Sequence, residues 1–417
     1  MRIEIEGRHP VRGTYRVSGN SNSAMSLIAA SMLTDAPVTL TGVPDTVSVT
    51  TMLHVGESLG MTVTHGEHLT LQTAGEIARS LEREHTDVLS GTLLFLAPIL
   101  ARREHARMTI DYAISRLHPH LTALRDLGIT VTIDRGVLDL EAKAWENADV
   151  VLVQTSVTAT ALVAMLAAAL GGKTIIHNAA SEPHITDLLH MLVKMGARVE
   201  GIGSNQLTVH GTKLHGTTAT VSPDHIEAAS AAAIAALSGG RLTIEGIHAH
   251  DLRVIAKIYD RLGLRVSLDE EALIVPTHER FEISNREEDV DVSIESSPWP
   301  GFPSDLIPMV TVVATQARGS VLIHEKLYNN RLLFVDRLSA MGAQIVLCDP
   351  HRAIVVGGSP LTGEYIDNPD VRTGLAMLGA ALCASGRTVI DNAETFHRNF
   401  DHVIDKLVAV GAKIKHA

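Results

Sequence analysis

Cysteine is nearly absent from this chain: Cys348 and Cys383 are the only two in 417 residues, far apart and without a Cys-x-x-Cys spacing. Such scarcity excludes a disulfide framework and a cysteine zinc site, and both thiols are expected to be free and buried. Aromatic residues make up only 3% of the sequence although 45% is hydrophobic, so Ala, Leu, Val and Ile must do the packing, as where helices lie on sheets. Long apolar runs are missing too. The longest, Ala161 to Leu170, falls far short of the roughly 18 residues a bilayer crossing needs. The opening Met1-Arg2-Ile3-Glu4-Ile5-Glu6 alternates charged and apolar residues, the period of a strand and not the apolar core of a signal peptide, so a cytoplasmic protein is expected. Positive charge is in deficit, 35 Lys and Arg against 47 Asp and Glu. The net charge of -12 argues against nonspecific binding to nucleic acid or an anionic membrane, while a local basic pocket stays open. No dinucleotide fingerprint, His-Glu-x-x-His or Gly-x-Ser-x-Gly occurs. Gly171-Gly172-Lys173-Thr174 imitates the end of a phosphate-binding loop, but Ala167 stands where that loop has its first glycine, and the segment runs from helix to strand.

What the chain does have is a repeat. A hydrophobic residue, Gly, two further residues and a β-branched residue recur around Gly60, Gly128, Gly196, Gly263, Gly342 and Gly411, spaced by roughly 68 residues except for one longer interval after Gly263. Glycine adopts the left-handed conformation that closes a helix, and the β-branched residue then opens a strand. Before Gly196, the residues Ile185, Leu188, Leu189, Leu192 and Met195 mark one apolar helical face. Upstream in each copy lies a more uniformly apolar helix followed by a strand, as in Ala161 to Leu170, Ile226 to Leu237 and Leu375 to Cys383. Apolarity all round means burial on most sides, so these helices are expected inside and the glycine-terminated ones outside. Each unit reads helix, strand, helix, strand pair. Six units over this length divide into two domains of three, with no flexible Pro/Gly/Ser linker between them.

Charge interrupts this apolar background at a few points. Asp305 follows Pro298-Trp299-Pro300-Gly301-Phe302-Pro303-Ser304, a proline-set turn leading into an apolar helix, and Arg372 holds the equivalent place in the last unit. Arg116, Arg331 and Arg398 fall near starts of outer helices. Asp305 reads as well as a helix cap as a functional carboxylate, and the arginines read as well as surface ion pairs as anion ligands. His118-Pro119-His120 and His248-Ala249-His250-Asp251 also begin outer helices. Without an accompanying carboxylate cluster they read as capping or surface residues and not as a metal site.

Ser18-Gly19-Asn20-Ser21-Asn22-Ser23-Ala24, Asn178-Ala179-Ala180-Ser181-Glu182-Pro183, Phe302-Pro303-Ser304-Asp305, Asn330-Arg331, Asp370-Val371-Arg372 and His397-Arg398-Asn399-Phe400 occur in an order and spacing that resembles the UDP-N-acetylglucosamine 1-carboxyvinyltransferase family over essentially the whole chain. The resemblance implies an α/β fold of two inside-out α/β barrels, the enolpyruvyl transferase fold. One domain would be split, residues 1–20 and 224–417, around a contiguous 21–223, with substrates bound in a cleft. It implies a reaction in which the acceptor's 3-hydroxyl attacks C2 of phosphoenolpyruvate, C3 is protonated, and phosphate leaves a tetrahedral intermediate. Asp305 would be the base and Asn22 a hydrogen-bonding partner at the reacting centre. Arg116, Arg331, Arg372 and Arg398 would hold the carboxylate and phosphate. Ser156 and Val157, within Gln154-Thr155-Ser156-Val157-Thr158, would face the uridine nucleotide, and His120 would also touch substrate. Neither cofactor nor metal is implied; the partners are small molecules, with no nucleic acid and no membrane.

Several positions depart from the family's pattern. Its lysine is Ser21 here, an arginine is Ser90, and the loop cysteine is Asp111, which could act as a general acid if its pKa is raised. The nucleotide-facing segment usually begins with lysine and ends with glycine, against Gln154 and Thr158. Two alternatives therefore stand beside the leading reading: enolpyruvyl transfer to another nucleotide, and a non-catalytic relative that binds ligand. The shikimate-pathway branch is disfavoured because its substrate-binding signature is absent.

Overall fold

The computed structural model describes residues 1–86, 89–110, 117–284, 292–367 and 373–416. The chain divides into two compact units, Gly19–Ser222 and the split pair Met1–Ser18 with Pro223–Ala417. The contiguous unit contains helices α1 (Ser21–Ser31), α2 (Val47–Leu59), α3 (Leu96–Arg103), α4 (His118–Asp126), α5 (Val157–Leu170) and α6 (Pro183–Lys194). The split unit contains α7 (His225–Leu237), α8 (Ala249–Arg261), α9 (Ile307–Gln316), α10 (Val335–Ala340), α11 (Gly374–Cys383) and α12 (Val403–Ala409).

Odd-numbered helices are inner and even-numbered ones outer, as their apolar patterns require. Every residue of α7 except Ile226 is buried, whereas α6 buries the stripe Ile185, Leu188, Leu189 and Leu192. Alanine makes the inner packing close. At the contact of the three inner helices of the split unit, Gly379 of α11 faces Ile234 of α7 and Met309 of α9, where an added Cβ would come into van der Waals contact at 3.4 Å. Each buried Ile or Leu there contributes roughly 1.5–3 kcal/mol. All six stop glycines have positive φ, from 78° at Gly128 to 115° at Gly196, the conformation expected of a helix terminator.

Six four-stranded sheets complete the units among the described residues. In each, a strand lies parallel to the one that follows the inner helix, and in all but the last a hairpin after the outer helix adds two antiparallel strands. In one example Trp145–Val151 pairs in parallel with Gly171–His177, which pairs antiparallel with Gln206–His210. Gly171–His177 is thus a strand directly following α5, and the phosphate-loop imitation is only a helix-to-strand junction. The first strand of each sheet is absent from the repeat read in the sequence. Several are only two or three residues long, such as Ser80–Leu81 and Tyr365–Ile366, too short to show a period. The last sheet is closed by the first strand of the chain: Ile3–Glu6 lies between Arg387–Ile390 and Lys413–His416, antiparallel to both.

Cys383 is partly buried at the end of α11, but Cys348 is exposed, contrary to expectation, because the strand Gln344–Asp349 is an edge strand with that residue on its solvent face.

Candidate functional site

Two inner helices of the split unit, α7 and α9, begin among charges. Asp305 occupies a single 3-10 turn, Ser304–Leu306, before α9, one residue inside a turn whose N-cap position is taken by Pro303. Its Oδ1 forms an ion pair with Arg331, 2.9 Å from Nη1, with the Asp305 side chain 50% exposed and that of Arg331 only 7%. Arg331 also donates to Ser304 Oγ and stacks its guanidinium over Tyr328, 4.4 Å from the ring centroid. Behind this pair stands a carboxylate that the sequence pattern does not single out. Glu325 is fully buried; it accepts from Ser304 Oγ, from Ser296 Oγ at 2.8 Å, and from the backbone N–H groups of Leu327 and Tyr328 at 2.8 and 3.1 Å. It therefore ties the Asp305 turn to the turn that carries Tyr328 and Arg331. A solvent-open carboxylate can accept a proton, and the buried guanidinium beside it can orient an anion.

A second buried group begins α7. Asp224 caps the helix, accepting from the N–H groups of Ile226 and Glu227 at 2.8 and 3.0 Å. Burial first, and then the neighbouring Glu227 charge, push its carboxyl up to about 7. Glu227, itself raised by burial, accepts from Tyr15 Oη at 2.7 Å and from Lys406 Nζ at 2.9 Å. Pro223-Asp224 before an apolar run was the available sequence signal for the cap. Arg398 ends the short 3-10 helix Ala393–Arg398 and is half-buried.

In the contiguous unit the starts of the inner helices are neutral. Asn20 caps α1, its Oδ1 accepting from the N–H groups of Asn22 and Ser23 at 2.9 and 3.1 Å. Ser21 is 2% exposed with its hydroxyl 3.0 Å from Thr46 Oγ1, while Asn22 is exposed. Ser90 is exposed at the start of the 3-10 helix that leads into α3. Ser156 caps α5 through the Ala159 N–H, and Val157 is the helix's first residue; both are half-buried. His120 is neither a cap nor a surface residue. It is 6% exposed, bonded through Nε2 to Thr158 Oγ1 at 2.7 Å, and burial lowers its pKa to about 4. His120 and the α5 start are thus brought together, as are Asp305 and Arg331. Asp111, Arg116 and Arg372 lie outside the described residues.

Comparison with known proteins places this arrangement. The EPSP synthase (3-phosphoshikimate 1-carboxyvinyltransferase) family matches residues 5–407. UDP-N-acetylglucosamine 1-carboxyvinyltransferase of Treponema denticola is 39% identical, covering 99% of this chain and 98% of its own. The protein of that name from Bradyrhizobium diazoefficiens is also 39% identical, over 99% and 97%. Among solved structures, the enolpyruvyl transferase NikO from Streptomyces tendae superposes with a TM-score of 0.88 at 24% identity, covering 100% of this chain and 98% of that one. EPSP synthase from Acinetobacter baumannii gives 0.74 at 18%, covering 99% of each chain. These structures share the fold, and the full-length sequence relatives carry the argument further: the chain belongs to the EPSP synthase family of enolpyruvyl transferases, within it alongside the UDP-N-acetylglucosamine 1-carboxyvinyltransferases, and is a transferase.

Proposed function

We propose that the protein transfers the enolpyruvyl group of phosphoenolpyruvate to the 3-hydroxyl of UDP-N-acetylglucosamine and releases phosphate, the first committed step toward peptidoglycan. Near-complete coverage of relatives with that name supports the reading, and the Asp305–Arg331 pair at the start of α9 is the observation that carries it. Asp305 takes the proton of the attacking hydroxyl as its oxygen bonds to C2 of phosphoenolpyruvate. Asp111 supplies a proton to C3. Loss of phosphate and of a C3 proton from the tetrahedral intermediate then restores the double bond. Asn22 hydrogen-bonds near the reacting carbon, and Arg116, Arg331, Arg372 and Arg398 hold the donor's carboxylate and phosphate, where charge-assisted bonds are worth about 1.5–3 kcal/mol each. Ser21 stands where a cation would add to that set. Ser156, Val157 and His120 face the nucleotide. The reaction is placed in the cytoplasm, which two unpaired thiols suit.

One observation favours a second acceptor. Thr158, where the family usually has glycine, adds a hydroxyl already bound to His120 at the start of α5, which changes what a nucleotide meets there. Phosphate release from phosphoenolpyruvate is the test, with UDP-N-acetylglucosamine and other uridine nucleotides in parallel. Release with the UDP-sugar supports the first reading, release only with another nucleotide the second, and no release from folded protein rejects both.

A further inference from the structure

His248-Ala249-His250-Asp251 opens α8, and the fold gives Asp251 a place there that its position in the sequence does not reveal. The Asp251 side chain is 7% exposed, and both of its oxygens meet an imidazole: Oδ1 lies 3.2 Å from His250 Nε2, and Oδ2 lies 3.8 Å from His248 Nδ1. The rings are close to parallel, 13° apart with centroids at 5.6 Å, and their side chains stay 46% and 69% exposed. His248 occupies the N-cap position yet makes no side-chain capping bond. One ligand atom from each of the three residues lies within 4.8 Å of the other two, the one such grouping of His, Cys, Asp and Glu among the described residues.

We propose that His248, His250 and Asp251 form a binding site for a late first-row divalent cation, zinc foremost, with two imidazole nitrogens and one carboxylate oxygen as ligands and the fourth position open to water. Zinc bonds to nitrogen and oxygen of about 2.0–2.2 Å place neighbouring tetrahedral ligands about 3.3 Å apart. The His250–Asp251 separation of 3.2 Å already meets that value, the His248–Asp251 separation is 3.8 Å, and all three ligand atoms lie within 4.8 Å of one another, so rotation of the two exposed rings is what would bring the set to ligating distance. The carboxylate is already fixed by burial, which leaves only the two imidazoles to immobilise on binding. The partial positive charge of the helix start opposes any cation, so the ion must gain from nitrogen ligation. That condition selects zinc, copper or nickel and disfavours magnesium and calcium, which take oxygen ligands. None of these three residues takes part in the proposed transfer chemistry. A bound ion would pin the segment before α8 to its first turn.

The test uses full-length protein stripped of metal with a chelator, titrated with zinc against a chromophoric competitor and separately with cobalt(II). The expected result is one equivalent of zinc bound in the micromolar range or tighter, with the visible absorption of a four-coordinate cobalt site. His248→Gln and His250→Gln should each weaken zinc at least about tenfold, equivalent to about 1.4 kcal/mol, and abolish the cobalt spectrum. Both positions are exposed, so circular dichroism and thermal unfolding of the metal-free variants should match the parent. Asp251→Asn should weaken zinc similarly, with the same folding control. An undiminished equivalent in the His248→Gln/His250→Gln double variant would overturn the proposal by moving the ion to other histidines, as would zinc binding weaker than millimolar in the parent.

Discussion

The two units repeat one chain path, but the split unit opens α7 and α9 among charges, whereas the contiguous unit opens its inner helices among hydroxyls and amides. Asp224, Asp305, Glu325 and Arg331 cluster around the starts of α7 and α9. The corresponding caps and first residues elsewhere are Asn20, Ser21, Ser90 and Ser156. A shared fold therefore supplies equivalent positions without prescribing their chemistry. Charge is retained where proton transfer is proposed, and neutral groups stand at two places where the family's pattern has cations.

The sharpest way to break this contrast is Asp305→Asn. It keeps the shape, removes the proposed base, and should lower the rate of phosphate release by about 100- to 10,000-fold with little change in thermal midpoint. Retained turnover would leave the charged corner without a catalytic role.

The second prediction sets one unit against the other through pH. Asp224 is raised from an unfolded value of about 3.9 to about 7, so its contribution to stability is fully present at low pH and lost as pH rises through about 7. His120 runs the opposite way. Its folded value of about 4 lies below the unfolded value of about 6.5, so stability is present above about 6.5 and lost as pH falls toward 4. Asp224→Asn keeps an N-cap acceptor and should remove the first dependence, while His120→Gln should remove the second. Each effect approaches about 1.4 kcal/mol for every tenfold difference in proton affinity between the folded and unfolded chain, read from denaturant unfolding between pH 4 and 8. Parallel curves for both variants and the parent would show that neither buried group controls stability.

A smaller effect is expected from Ser21→Lys. Restoring a cation at the α1 start should lower the KM for phosphoenolpyruvate by about tenfold, the equivalent of one modest charge-assisted contact. An unchanged or raised KM would mean that the neutral start is not a missing anion contact. No effect at all is expected from fosfomycin, which acts on the loop cysteine that the family resemblance implies at the position of Asp111 here. Time-dependent inactivation prevented by phosphoenolpyruvate would contradict that correspondence.

The repeat was legible because glycine stops and apolar periods are local properties. Gly60, Gly128, Gly196, Gly263, Gly342 and Gly411 each take a conformation that other residues adopt at a cost, so the pattern of the units is written at those positions. Inner and outer helices were equally legible, because uniform apolarity around α7 and one-sided apolarity along α6 admit few other packings. Short pairing strands such as Ser80–Leu81 were not, since two residues carry no period.

The site divides along the same line. Residue type and order mark Asp305, Arg331, Ser21 and Ser156 as positions of interest. Burial and partner choice come from side chains far apart in sequence: Glu325 beneath Ser304, Thr158 on His120, Lys406 on Glu227. A sequence can state that a carboxylate is present, but its proton affinity and its reach depend on which groups the fold packs against it. Tertiary structure alone makes Asp224 a buried acid, Asp305 an exposed partner of a buried arginine, and Asp251 the fixed centre between two histidines.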